Sequence, residues 1–301
     1  MKLEVKNITK SFGDKEVLKG VSFHVESGAA LGLLGRNGAG KTTTIRIIMG
    51  LFEPNSGEVL LDGKPLDIRE ANVGYMPEER GLYPKKTVIE QLAYFGELRG
   101  MTKQDAIKSA DALLERLDMT EYRGAKLSTL SKGNQQKIQL VVTLINDPDI
   151  VILDEPFSGL DPVNAMLLKD IVKEQIEKGK IVIFSSHQMN YIEEFCNEIV
   201  ILNSGVIAVS GAIKDIKKSM SQSKVLLSLL DKGNLSEKLN ESTVISSLED
   251  DEEGLVVTLK PESSVDDLIK VVTNSTAKVN EIKALEPSLA EIFVDYTEVD
   301  S

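Results

Sequence analysis

The sequence of 301 residues has little cysteine and no long apolar run. Its single cysteine, Cys196, excludes an intramolecular disulfide, which suits a reducing compartment. No stretch reaches the roughly 18 consecutive apolar residues of a membrane-spanning helix. The segment Met1–Lys6 alternates polar and apolar residues like a strand, whereas a signal peptide needs an apolar core of about 7 to 15 residues. We therefore expect a cytoplasmic chain, and any membrane role must come from binding another protein.

The sequence has less positive than negative charge: 35 Lys and Arg stand against 47 Asp and Glu, so the formal net charge is −12. A protein that contacts nucleic acid usually needs Lys and Arg to meet the phosphates, so this balance argues against that class of partner. The negative charge is concentrated in residues 216–301, which contain nine Lys, no Arg and 17 acidic residues and so carry −8 of the total. This change in composition predicts a domain boundary near residue 216.

The first 215 residues alternate apolar runs with helical patterns. Continuous apolar runs at 29–34, 149–154 and 180–185 are typical of strands buried in a parallel sheet. Strands that alternate with helices predict an α/β fold. Helical patterns at 87–99, 103–118 and 131–146 follow one another without such a strand, and they predict an inserted helical subdomain at about 80–145.

The acidic tail has a different order of elements. Its strand patterns cover residues 224–230, 243–248, 254–260 and 277–285. Helical patterns near 234–240 and 264–273 complete the order βαββαβ, which is typical of a ferredoxin-like α+β domain. A further helix is predicted near 287–296. The tail contains no phosphate loop and no catalytic constellation, so we expect an accessory role in packing or regulation.

The strongest motif is a phosphate-loop pattern, G-x-x-x-x-G-K-T, at residues 35–42. It follows a predicted strand and opens a helical pattern, as such a loop should. Its glycines let backbone N–H groups surround phosphate oxygens, with the helix N-terminus adding a favourable dipole. Lys41 can reach the β- and γ-phosphates, and the Thr42 hydroxyl can bind Mg²⁺. The candidate ATP contacts in and beside this loop are Gly35, Asn37, Gly38, Ala39, Gly40, Lys41, Thr42 and Thr43.

A second candidate site follows the apolar run at 150–153, where Asp154 and Glu155 end a predicted strand. Ligands of open α/β sheets bind at the carboxyl ends of the strands. Asp154 can hold Mg²⁺, and Glu155 can orient the water that attacks the γ-phosphate. Two acidic residues at a strand end can equally be solvated side chains without a function, so this pattern alone leaves both readings open.

With these motifs the sequence resembles the ABC transporter ATPases over about residues 1–215. Residues 130–135, Leu-Ser-Lys-Gly-Asn-Gln, resemble the family signature, and residues 158–161, Ser-Gly-Leu-Asp, resemble its D-loop. His187 after the strand at 180–185 resembles the switch histidine, and Phe12 matches the aromatic side chain that stacks on adenine. Each short motif is weak alone, but six of them in the family's order make coincidence negligible.

The resemblance implies an ATPase with a RecA-like core, an antiparallel β-subdomain and a helical subdomain. It implies that ATP and Mg²⁺ bind between two nucleotide-binding domains, in a homodimer or heterodimer. Glu155 and His187 would be the catalytic residues, and Phe12 would contact adenine. Contacts from the opposite subunit would come from Ser131, Gly133, Asn134 and Asp161. Mg²⁺ would be held by Thr42, Glu78 and Asp154.

The sequence departs from the family pattern at three positions. Lys132 replaces a glycine of the signature and Asn134 replaces its glutamine. Glu78 stands where the family usually has the glutamine of the Q-loop. A carboxylate can still bind Mg²⁺, although it adds negative charge beside the phosphates. These departures and the acidic tail resemble the ATPase subunits of bacterial two-component efflux systems for sodium extrusion and drug export.

Two other functions are weighed against export powered through a separate membrane-spanning permease. Ribosome-acting ABC ATPases typically carry two ATPase halves, and those of DNA repair insert long segments between the phosphate loop and the signature. This chain has one phosphate loop, and 88 residues separate Thr42 from Ser131. A GTP-using switch would need an Asn-Lys-x-Asp segment, which is missing. We therefore expect an efflux ATPase on the inner face of the cell membrane.

Overall fold

The structure divides the chain into two compact units, Met1–Gly211 with Tyr296–Ser301 and Ala212–Asp295. It is a computed structural model that describes residues 1–79, 81–157, 160–186, 188–220 and 224–297. Strands and helices are numbered below in chain order. The first part of the chain contains β1 (Lys2–Phe12), β2 (Lys15–Glu26), β3 (Ala30–Gly35), α1 (Lys41–Ile48), β4 (Ser56–Leu61), β5 (Lys64–Pro65), β6 (Val73–Met76), α2 (Val88–Leu98), α3 (Lys103–Arg116), α4 (Lys132–Leu144), β7 (Ile150–Asp154), α5 (Pro162–Glu177), β8 (Ile181–Ser185), α6 (Met189–Phe195), β9 (Glu198–Asn203) and β10 (Val206–Ala212).

A largely parallel sheet forms the centre of the first unit, with the strand order β10-β9-β3-β8-β7-β6. The pairs β3–β9, β3–β8, β7–β8 and β6–β7 are parallel. Every residue of β3, β7 and β8 is buried, as expected when helices cover both faces of a parallel sheet. The predicted α/β fold is confirmed, and the register pairs Asp154 of β7 with Ser185 of β8.

A second sheet of the same unit is antiparallel and has the order β2-β1-β4-β5. Its strands alternate buried and exposed side chains, because only one of its faces is covered. The buried residues of this face, Leu3, Val5, Ile8, Val21 and Val25, share one hydrophobic cluster with Leu31 and Ile183 of the parallel sheet and with Ile45 of α1. This sheet is the expected antiparallel β-subdomain.

Three helices, α2, α3 and α4, lie in the chain between β6 and β7 and pack against one another. Each begins at a hydroxyl side chain that caps it: Thr87 for α2, Thr102 for α3 and Ser131 for α4. Ser131 is thus the cap of α4 and not its first residue. Within the described parts of the chain, no helix combines the length and apolarity that crossing a membrane requires.

The second unit contains the predicted ferredoxin-like fold. The elements that follow β10 along the chain are α7 (Ile213–Met220), β11 (Lys224–Asp231), α8 (Leu235–Glu241), β12 (Ile245–Asp251), β13 (Gly254–Leu259), α9 (Val265–Thr273), β14 (Lys278–Ala284) and α10 (Leu289–Thr297), the last of which extends past the end of this unit. The strand order β12-β13-β11-β14, with antiparallel neighbours, is that of a split βαβ sheet. Leu235 and Leu239 of α8, with Leu268 and Val272 of α9, join the buried residues of the sheet in one core.

Candidate active site

The phosphate loop joins the end of β3 to the start of α1, so the motif lies where the sequence predicts it. Gly38 and Gly40 have φ angles of 84° and 112°, which side chains other than glycine rarely adopt. A Cβ atom on Gly40 would also approach Leu18 Cδ2 to 2.5 Å. Helix α1 begins at Lys41, directly after the last glycine of the loop. The loop is therefore fixed by its glycines and leads directly into a helix N-terminus.

The Lys41 side chain folds back over this loop and is 9% exposed. Its Nζ atom donates a hydrogen bond of 2.6 Å to the Gly35 carbonyl oxygen and lies 3.5 Å from that of Arg36. The next two side chains, Thr42 and Thr43, are half-buried. An ammonium group held at the mouth of a loop of N–H groups suits the binding of a phosphate chain.

Asp154 and Ser185 meet at the carboxyl ends of two neighbouring strands. Asp154 is 2% exposed, and its Oδ1 atom accepts a hydrogen bond from the Ser185 hydroxyl. Its other oxygen, Oδ2, is buried without a hydrogen-bond partner. Burial raises the pKa of Asp154 above its ordinary value, the Ser185 hydrogen bond opposes this, and the charges of Glu78 and Glu155 raise it further. A buried carboxylate oxygen without a partner is a site for a cation or a hydrogen-bond donor.

Glu155 follows in a backbone conformation that non-glycine residues rarely adopt, with φ at +50°. Such a conformation costs on the order of 1–3 kcal/mol and persists only where the surrounding structure holds it. Here the Glu155 N–H group donates to the Ser185 carbonyl oxygen at 3.1 Å and to its hydroxyl oxygen at 3.2 Å. Ser185 thus positions both acidic residues. The Glu155 side chain is buried at the edge of the sheet, with 8% of its surface exposed.

Glu78 lies just after β6 and is exposed. Its charge acts on Asp154, as described, and on Tyr75 of β6. The pKa of Tyr75 is raised to about 12, first by burial and then by the charge of Asp154, with Arg46 opposing and Glu78 adding to the shift. The charge of Glu78 therefore acts on Asp154, the other carboxylate of the predicted metal site.

Phe12 lies at the end of β1 and is 46% exposed. Its ring packs edge-to-face on Phe52, with the ring centroids 5.4 Å apart, and Lys10 Nζ lies 5.2 Å from its centroid. Lys10 is fixed in turn by a 2.6 Å hydrogen bond from Nζ to the Glu53 carbonyl oxygen. The exposed ring is supported by its neighbours and is available to stack on a planar ligand.

The signature residues lie at the start of α4. Ser131 is exposed, and its hydroxyl accepts a 3.2 Å hydrogen bond from the N–H group of Asn134. A Cβ atom on Gly133 would lie 3.2 Å from Asn164 Nδ2. Asn164 belongs to α5, whose cap is Asp161, and its N–H group donates to Asp161 Oδ1 at 2.9 Å. The four predicted trans contacts therefore lie at the neighbouring N-termini of α4 and α5.

Three other residues of the predicted motifs, His187, Ser158 and Gly159, lie outside the described residues. The structure also reveals polar residues that the motif analysis missed. Ser185 is one, and a polar residue at the end of an apolar strand is the signal that could have found it. Gln136 and Gln139 of α4 are two more, and both are buried. Their role depends on long-range contacts, which no local pattern shows.

Comparisons with known proteins agree with this geometry. The family described as ABC transporter matches residues 18–158, and the family described as ATP-binding protein DrrA1-3-like, C-terminal domain, matches residues 211–297. An uncharacterized ABC transporter ATP-binding protein, MJ1023 of Methanocaldococcus jannaschii, is 48% identical over 237 residues, which are 79% of this chain and 86% of the relative. The chain belongs to the ABC transporter ATP-binding proteins. It is therefore the ATP-binding and ATP-hydrolysing subunit of an ABC transporter.

Two further similarities refine the place of this ABC ATPase within the family. The linearmycin resistance ATP-binding protein LnrL of Bacillus subtilis is 36% identical over 218 residues, 71% of this chain and 70% of the relative. The dimeric structure of the ATP-binding cassette MJ0796 in a post-hydrolysis state, bound to ADP and Pi, has a TM-score of 0.64 at 26% identity, covering 70% of this chain and 98% of the cassette. The resemblance to drug-export ATPases is thus confirmed. ABC ATPases of this kind dimerise and work with a membrane permease.

Proposed function

We propose that this ABC ATPase powers export through a separate membrane-spanning permease, at the inner face of the cell membrane. Two ATP-binding domains, identical or different, pack head to tail with ATP between them. The observation that carries the proposal is the convergence of Lys41, Asp154 and Glu155 at one edge of the sheet, each held by named backbone or side-chain contacts. No nucleic acid takes part, which the acidic charge of the chain supports.

The phosphate loop and Phe12 bind ATP in this proposal. Backbone N–H groups of the loop and the Lys41 ammonium hold the phosphates, while the Phe12 ring stacks on adenine. Glu155 accepts a proton from the attacking water or orients it toward the γ-phosphate. His187 hydrogen-bonds the γ-phosphate. The buried side chain of Glu155 and its backbone contacts to Ser185 support this role, because a base must be held within hydrogen-bond reach of the water.

Mg²⁺ is bound by Thr42, Glu78 and Asp154, and the donor set fits this ion. All three offer oxygen atoms, which Mg²⁺ prefers, and Asp154 Oδ2 is buried without a hydrogen-bond partner. Among the described residues, no group of three or more His, Cys, Asp or Glu side chains could hold a metal ion. Mg²⁺ commonly uses only one or two carboxylates and completes its shell with phosphates and waters. When bound, it neutralises charge on the phosphates.

The residues at the N-termini of α4 and α5 contact ATP of the opposite subunit. Ser131, Gly133 and Asn134 approach the γ-phosphate, and Asp161 crosses the interface. The adjacency of the two helix starts supports this role, because together they present one surface with exposed N-terminal groups. The dimeric state of the similar cassette supports the arrangement.

A groove on the helical subdomain is the proposed docking site for a cytoplasmic helix of the permease. It has a volume of about 370 Å³ and is lined by Tyr83, Lys86, Glu90, Gln91 and Tyr94. Tyr83 and Tyr94 are both nearly half-exposed and pack with Phe95. Exposed apolar and aromatic surface of this kind is typical of protein contacts.

Cysteine cross-linking tests the docking site. A cysteine at Tyr83 or Tyr94 is expected to cross-link to the permease in the assembled complex and to be protected from thiol reagents there. Gln91 is unsuitable because it is buried and accepts a hydrogen bond from the Tyr83 N–H group. The native Cys196 gives little background, since it is buried and burial raises its pKa. Lys64→Cys, on the exposed strand β5, is the matched control. Equal labelling of Tyr83→Cys with and without permease would contradict the assignment.

The acidic accessory domain, proposed at 216–301, has a packing or regulatory role. Its core is self-contained, and every candidate nucleotide contact precedes it. We expect a chain that ends at Gly211 to keep ATP binding and to change dimer stability or the ATPase rate of the complex. Fluorescent-ATP titration and light scattering measure these two properties. A truncated chain that keeps its helical circular dichroism but loses ATP binding would refute the proposed division of labour.

A further inference from the structure

One buried side chain of α4 holds the backbone on both sides of Glu78. The Gln139 Nε2 atom donates a 2.7 Å hydrogen bond to the Pro77 carbonyl oxygen and lies 3.5 Å from the carbonyl oxygen of Glu79. Gln139 is 3% exposed, so these contacts are shielded from water. A single carboxamide thus holds the short segment that carries the Glu78 carboxylate.

The contact is fixed because α4 and β6 pack at close range. A Cβ atom on Gly74 of β6 would lie 2.4 Å from the Thr143 carbonyl oxygen of α4, so no larger residue fits there. The Thr143 hydroxyl donates to the carbonyl oxygen of Gln139 at 2.9 Å and lies 3.4 Å from that of Tyr75. Gln139 is one helical turn before Thr143 and therefore lies beside the residues that follow β6.

Packing alone does not account for a glutamine at this position. The Gln139 Oε1 atom is buried and has no hydrogen-bond partner, which is unfavourable. An apolar side chain of similar size would avoid that cost. Such an apolar side chain could not donate hydrogen bonds to the carbonyl oxygens of Pro77 and Glu79. The glutamine therefore serves to hold this backbone segment in position.

We infer that Gln139 is a positioning residue that sets the Glu78 carboxylate for the Mg²⁺–ATP complex. This inference rests on the proposed role of Glu78 as a metal ligand. Helix α4, which begins at the signature, thereby also fixes a metal ligand of its own subunit. Ser131 at the start of α4 contacts the ATP bound by the opposite subunit, while Gln139, two turns later, holds the segment with Glu78, which binds the Mg²⁺ of its own subunit's ATP. The two nucleotide sites of a dimer are thereby linked through one helix.

The decisive variant is Gln139→Met, which keeps the side-chain length and removes the donor. Binding of the non-hydrolysable analogue adenylyl imidodiphosphate is measured by calorimetry, with Mg²⁺ and with EDTA. The affinity gained from Mg²⁺ is expected to fall about five- to tenfold, the equivalent of one buried hydrogen bond, while the affinity in EDTA stays unchanged. Amide hydrogen exchange of residues 75–79 is expected to quicken in the same variant, without nucleotide.

Two further variants separate a positioning role from a loss of packing. Gln175→Met removes a buried carboxamide from α5 and should alter neither measurement. In a Glu78→Ala background, Gln139→Met should cause no additional loss of the Mg²⁺-dependent gain, because the ligand it positions is gone. An additive loss in the double variant, or an unchanged gain in Gln139→Met alone, would overturn the inference.

The same measurements separate this inference from the proposed function. If Glu78→Ala alone leaves the Mg²⁺-dependent gain intact, Glu78 is not a metal ligand, and the positioning role falls with it. If Glu78→Ala reduces the gain and Gln139→Met does not, the metal site stands and only the role of Gln139 is wrong. Absence of analogue binding in the unmodified chain would refute the ATP site itself.

Discussion

Replacement of Glu155 by glutamine is expected to reduce ATP hydrolysis at least about 100-fold, because a positioned general base contributes roughly 10²–10⁴-fold. The change removes the carboxylate that orients the attacking water and one negative charge near the γ-phosphate. ATP binding should survive, since the phosphate loop and Asp154 are unchanged. With hydrolysis blocked, Mg-ATP should hold two copies together as a long-lived dimer. Phosphate release and size-exclusion chromatography with Mg-ATP measure the two effects.

The structure makes this substitution a clean test. Glutamine has the size of glutamate, and the unusual backbone at Glu155 is held by hydrogen bonds from its N–H group to Ser185, which the substitution leaves in place. Glu79→Gln is the matched control, because Glu79 is an exposed carboxylate in the neighbouring loop. We expect it to hydrolyse ATP at nearly the normal rate. A Glu155→Gln protein that hydrolyses ATP normally, or that stays monomeric with Mg-ATP, would contradict the catalytic assignment.

The sequence predicted the parts of the fold that depend on local patterns. The buried strands β7 and β8 are continuous apolar runs, and β3 leads into a phosphate loop whose glycines are required by backbone angle and by space. The second unit was predicted as βαββαβ because its strands and helices are short and separated by turns. Its strand order follows from that pattern, since β13 must return antiparallel between β12 and β11.

Elements without a strong local signal were not predicted. Strand β6 has only four residues, one of which is Gly74, and its identity depends on parallel pairing with β7. The strands β9 and β10 also escaped the analysis, although β9 pairs with β3. These elements are strands because of what they pair with, so a reading of periodicity along the chain does not find them.

In the candidate site, too, residues in local motifs were predicted, whereas residues that act through tertiary contacts were not. Lys41, Asp154 and Glu155 were found because each lies in a short motif with a chemical meaning. Ser185 is 31 positions from Asp154 and meets it only because β7 and β8 are neighbours in register. Gln139 is 62 positions from Pro77. Residues that position a catalytic group are specified by tertiary packing, whereas those that perform the chemistry are specified by type and spacing.

Replacement of Lys41 by alanine is expected to abolish measurable turnover and to lower the affinity for ATP by roughly 10- to 100-fold. The lost contact is a charge-assisted hydrogen bond to the β- and γ-phosphates, of a kind worth roughly 1.5–3 kcal/mol. In the structure the Lys41 ammonium is nearly buried and bound to the Gly35 carbonyl oxygen. It is therefore held beside the loop, and its removal takes away the positive charge at that position.

Because Lys41 also closes the loop on Gly35, its loss can act through packing as well as through charge. Lys41→Met separates the two, since methionine fills much of the same space without a charge. Equal losses of ATP affinity in Lys41→Ala and Lys41→Met, with thermal unfolding close to that of the unmodified chain, would assign the effect to the ammonium group. Lys15→Ala, at an exposed position of β2, is the control for a change in net charge. Normal ATPase activity in Lys41→Ala would exclude residues 35–42 as the phosphate-binding loop.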